Sequence, residues 1–77
     1  MADQTVVDLA NQLAEECLAV QRETGQERLI MEVAAVLGAS SQTMEEAFVT
    51  AIRTRLSAAQ GRDFIAKALA AHRAKES

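Results

Sequence analysis

The chain contains no proline, and its three glycines stand alone at positions 25, 38 and 61. Proline breaks a helix because it lacks an N–H and its ring clashes with the preceding turn. Without it, the residues best suited to end a helix are the glycines, which take the left-handed C′ conformation at little steric cost. The intervening segments are rich in Ala, Leu, Glu and Gln, which lose little side-chain freedom in a helix. The pattern therefore predicts an all-α fold, a small bundle of about four helices near residues 5–24, 26–37, 43–60 and 64–75. At 77 residues the whole chain, 1–77, reads as one helical domain.

Apolar spacing supports this division. Val6, Ala10, Leu13, Cys17 and Val20 follow a 4-3-4-3 rhythm, a seam along the first helix that Leu9 and Leu18 widen. Asp3 or Thr5 can cap its start, and Gly25 follows its end. Leu29, Ile30, Val33, Val36 and Leu37 share a face of the second helix, and Met31 and Ala34 make that helix apolar nearly all round. Such a helix belongs at the centre of a bundle or at an interface. Gly38 is expected to end it. Thr43 and Glu46 have capping-box spacing for the third helix, with Ser41 as the other candidate cap. Met44, Phe48, Ala51, Ile52, Leu56 and Ala59 form the third stripe, and Gly61 is expected to stop it. Asp63 would cap a fourth helix whose Ile65, Ala68, Leu69 and His72 share a face, with Lys67 placed to pair with Asp63.

Large apolar side chains are few. Leu, Ile, Val, Met and Phe number 21, and alanine adds 16 small ones. Alanine buries little surface, so the core is thin and a partner helix is an expected supplement.

Charge is unevenly placed. Residues 1–50 carry nine acids and two bases, a sum of −7; residues 51–77 carry six bases and two acids, a sum of +4, which together recover the net −3. Three arrangements answer to this asymmetry. The first and last helices can neutralise each other within one chain. The acidic half of one chain can meet the basic half of another. The basic third can face an acidic partner, a protein surface or nucleic acid.

The corner around Gly38 resembles two known arrangements. Ala34 and Gly38, flanked by Val33, Leu37 and Met44, have the spacing of a helix-turn-helix, in which an alanine four residues before the turn glycine lets the second helix approach. That resemblance implies that Ser40, Ser41, Gln42 and Arg53, with Glu45 and Glu46 in the first turn, face the DNA major groove. Leu37-Gly38-Ala39-Ser40-Ser41 also resembles the modification-site turn of acyl carrier proteins, where a serine opening a helix carries a phosphopantetheine arm; Ser41 or Ser40 would be the match. The aspartate before that serine is missing, and the serines are read here as helix caps, with no cofactor.

No catalytic or metal-binding constellation is read. His72 is the single histidine, placed among Arg73 and Lys75 where a cation suits a helix C-terminus. A lone His and a lone Cys, 55 positions apart, lack metal-ligand spacing. Glu15-Glu16 and Glu45-Glu46 are adjacent in sequence and splay apart on a helix. Met1-Ala2-Asp3-Gln4 lacks a basic, then apolar, leader, no membrane span is present, and one cysteine suits a reducing cytoplasm. The expectation is a cytoplasmic, non-enzymatic, self-associating interaction module that pairs with its own copy or another protein through Leu9, Leu13, Cys17 and Val20. No small-molecule or membrane partner is expected. A small DNA-binding regulator is the alternative.

Overall fold

A computed structural model describes residues 3–76; the leader expectation rests partly on Met1 and Ala2, which lie outside the described residues. The described chain is all-helical, but with three helices rather than four: α1 (Gln4–Thr24), α2 (Leu29–Ser40) and α3 (Gln42–Glu76).

The ends of α1 follow local chemistry. Asp3 Oδ1 accepts from the Val6 backbone N–H at 2.9 Å, satisfying one of the free donors of the first turn. Gly25 sits at φ 72°, and its N–H closes on the Gln21 carbonyl at 2.8 Å. Residues 25–28 make the turn, so α2 opens at Leu29 rather than near residue 26.

The other two glycines do not stop their helices. α2 runs through Gly38 to Ser40, and the break falls on Ser41 alone, which is extended at φ −156° and ψ 107°. Ser41 also caps α3, its Oγ accepting from the Met44 N–H at 3.1 Å. Thr43 is therefore already inside α3 and is not the cap. Ser40 is not a cap either: it lies in α2 and its hydroxyl donates back to the Leu37 carbonyl at 3.4 Å. α3 then passes through Gly61 without interruption. A mid-helix glycine costs about 1 kcal/mol relative to alanine, and the alanine-rich sequence on both sides offsets that. Asp63 consequently caps nothing. It pairs with Lys67 one turn on at 2.9 Å, the i,i+4 contact that the spacing suggests.

α1 and α3 run in the same direction, with α2 returning between their ends. Arg55 marks the alignment: its Nη1 donates to Asn11 Oδ1 at 3.0 Å and to the Ala51 carbonyl at 3.1 Å, and Nη2 lies 3.9 Å from Glu15 Oε1. The core is small. Ala14 and Cys17 from α1, Ala34 from α2, and Phe48, Ala51 and Ile52 from α3 form it, with Leu13, Leu18, Leu29, Ile30, Val33, Leu37 and Val49 packed around. Ala10 is buried beside it. Among the described residues Phe48 is the single large side chain with no exposure.

Every described residue from Leu56 to Glu76 is exposed. Thirty-five residues of helix span about 52 Å, which accounts for a longest dimension of 57 Å. The radius of gyration is 16.4 Å, against about 11.5 Å for a compact chain of this length. Half of α3 is thus a projecting arm rather than a fourth packed helix. The first and last helices of the expected bundle do not lie side by side as separate elements.

Candidate interaction surface

Three exposed apolar regions surround the small core. The first belongs to α1. Of the seam residues expected to meet a partner, Cys17 is buried and Leu13 packs half-buried against the core, whereas Leu9 and Val20 are exposed. The structure thus divides the four between the inside and the surface. The reason is the neighbouring row: Ala10, Ala14 and Cys17 face α3 closely because two of the three are alanine. Burial also pushes the Cys17 thiol pKa up, by desolvation of its thiolate.

The second region is the outer face of α2. Met31 and Val36 are each 72% exposed, with exposed Ala35 and Ala39 between and beyond them. The all-round apolar character of this helix is therefore not explained by a central position.

The third is the arm of α3. Phe64 is 74% exposed, Ile65 68% and Leu69 nearly half. At about 100° per residue, Gly61, Phe64, Ile65, Ala68, Leu69 and His72 share one stripe. Lys75 and Glu76 close its C-terminal end, while Arg62, Lys67 and Arg73 lie outside it. The stripe is centred about 150° around the helix from Phe48 and Ile52, so it does not continue the core seam. His72 sits within it and pairs with Glu76. Cys17 is in the core and His72 on the arm, so the fold does not bring them together.

The same stripe, followed back toward the start of α3, becomes one wall of a groove. Thr43, Glu46, Ala47, Thr50, Ala51 and Thr54 face Val7 and Asn11 of α1 across a volume of about 560 Å³. Apart from Glu46 and Asn11 the lining side chains are small, which leaves this space open.

The Gly38 corner is tight. A Cβ added at Gly38 would lie 2.8 Å from Glu45 Oε1, so the Glu45 side chain folds over the glycine. Of the residues implied by the helix-turn-helix resemblance, Ser40 ends α2, half-buried Ser41 caps α3, Gln42 opens α3, and Arg53 lies exposed three turns on. A helix-turn-helix joins its helices through three or four residues; here a single residue separates them.

No family model, curated protein or solved structure matches the chain. Among the described residues no helix is long and apolar enough to cross a membrane.

The arm residues Phe64 and Leu69 and the α2 residues Met31 and Val36 were not singled out as interaction residues from sequence. The signal for the arm was present. Counted through Gly61 without a break, the positions of Ile65 and Leu69 fall out of phase with Phe48 and Ile52.

Proposed function

We propose that this protein is a small, non-enzymatic, self-associating interaction module of the cytoplasm. The observation that carries the reading is surplus surface. The chain exposes 6014 Å², whereas a compact monomer of 8.3 kDa exposes about 4,600 Å². The excess of about 1,400 Å² exceeds the roughly 800 Å² that each partner buries in a standard interface. It is also apolar in the places that matter: Phe64, Ile65 and Leu69 on the arm, and Met31 and Val36 on α2. A core with one fully buried large side chain gains most from covering such surface. A reducing compartment keeps the buried Cys17 as a thiol.

Sedimentation equilibrium over a range of concentrations tests this. The expected result is a mass rising toward twice 8.3 kDa. A constant monomer mass up to several hundred micromolar would remove the reading.

A further inference from the structure

We infer that two copies of this chain pair antiparallel along α3, crossing at Gly61, so that the Phe64–Ile65–Leu69 stripe of each packs on Thr54, Ser57 and Ala58 of the other, and the Ala68–Lys75 end of each arm enters the other's α1/α3 groove. The inference rests on the self-association proposed above and specifies its geometry.

Four observations lead to it. First, stripe and groove lie on the same side of one continuous helix. Thr43, Ala47, Thr50 and Thr54 occupy the angular sector that Gly61, Phe64, Ile65 and Ala68 occupy further on, at about 100° per residue. Apart from Glu46, which shares the angle of Phe64, the face is therefore small in its first half and large in its second. A two-fold axis across the helix sets the large half of one copy on the small half of the other, a self-complementary contact.

Second, Gly61 stands at the junction of the two halves and at the centre of the stripe. Nothing lies within 4 Å of a Cβ built on it, and its φ is not positive, so the single chain gives no reason for a glycine there. Where two helices cross, a residue without a side chain lets their backbones approach closely. With the axis at Gly61, Thr54 of one chain lies level with Ala68 of the other, and Ser57 and Ala58 lie level with Ile65 and Phe64.

Third, charge is complementary. Residues 57–76 carry Arg62, Lys67, Arg73 and Lys75 against Asp63 and Glu76, a sum of +2. Residues 1–56 carry the remaining nine acids against Arg22, Arg28, Arg53 and Arg55, a sum of −5. In the antiparallel register Arg73 and Lys75 come level with Asp8 and Glu46 of the partner copy. An anionic lipid surface would suit the basic arm but repel the acidic body carried with it.

Fourth, the area suffices. Two excesses of about 1,400 Å² amount to about 2,800 Å², within the range of obligate homodimers.

Single-cysteine variants in a Cys17→Ala background, checked for helicity by circular dichroism, test the arrangement under mild oxidation. Gly61→Cys should cross-link to itself. Thr54→Cys and Ala68→Cys should each fail alone but link to each other when mixed, a readout that survives if the glycine variant disturbs the crossing. Phe64→Ser should weaken association by about 100-fold or more while leaving the monomer helical. A dimer in which Thr54→Cys and Ala68→Cys each link to themselves is parallel and overturns the arrangement while leaving self-association standing. A dimer with none of these links overturns it likewise. A monomer at every concentration overturns both readings, and binding of that monomer to anionic vesicles would reassign the stripe to a lipid surface.

Discussion

The chain has two aromatic residues, and the structure places them in opposite environments. Phe48 has no exposure and belongs to the core cluster to which all three helices contribute; Phe64 is 74% exposed on the arm. Replacing each by alanine removes the same atoms. At Phe48 the loss combines the transfer free energy of a buried ring with the cavity left behind, about 3–5 kcal/mol in a packed core. A 77-residue domain has a total stability of roughly 4–12 kcal/mol. The other fully packed positions here are mostly alanines, which cannot move in to fill the space, so the upper half of the mutational range applies. Phe48→Ala should therefore remove a large part of the total stability. With no Trp or Tyr to report fluorescence, urea titration followed by helical circular dichroism is the suitable assay. Phe64→Ala serves as the internal control. At concentrations below the dissociation constant it should change stability by less than about 0.5 kcal/mol, as exposed substitutions do. At high concentration it should destabilise, because the ring is then covered. If Phe48→Ala costs less than about 1 kcal/mol, the small core does not hold the helices together and the argument for surplus surface fails with it.

Three further predictions concern the glycines and the thiol. Gly25→Ala should destabilise by about 1–2 kcal/mol, because the added Cβ meets no neighbour but the φ of 72° is left-handed; chemical denaturation measures it. Gly61→Ala should have the opposite sign in the monomer, stabilising by up to about 1 kcal/mol through helix propensity, while sedimentation shows weaker association. Cys17 should react slowly with an aromatic disulfide reagent until the chain unfolds, since it is buried in the core. Its raised folded pKa means that its contribution to stability is intact below the ordinary thiol value of about 8.5 and is lost as pH rises through the folded value. Melting temperatures of the wild type and Cys17→Ala from pH 7 to 10 should converge if this holds.

What the sequence makes legible is what local chemistry decides. Asp3 and Gly25 bound α1 because a cap and a left-handed residue act within one turn. The all-α character follows from composition and periodicity. The Ser41 break needs only the choice between two hydroxyls three backbone positions from a free N–H, and Thr43 loses because the chain is already helical there. The charge asymmetry is equally visible, but its consequence is not, since it depends on which elements lie together. Cys17 and Leu13 could not be separated from Leu9 and Val20 by spacing alone, because all of them fall near one seam and the alanine row beside them sets the contact with α3.

Gly61 is where local chemistry is insufficient, and the surface reading depends on it. Glycine permits a helix to stop but does not require it. The cost of continuing, about 1 kcal/mol, is small beside the backbone hydrogen bonds that run unbroken through α3. Had the chain turned at Gly61, Ile65 and Leu69 could have folded back over the acidic body, and the four-helix expectation would have spent them on the core. Because it does not turn, the apolar stripe is carried about 150° away from Phe48 and Ile52, onto the side of α3 that lines the groove with α1. A chain of this length cannot bend that stripe back onto its own α3 without breaking the helix, so a second copy is what can cover it. The backbone at one residue thus decides whether the same side chains serve the interior of one molecule or the surface between two.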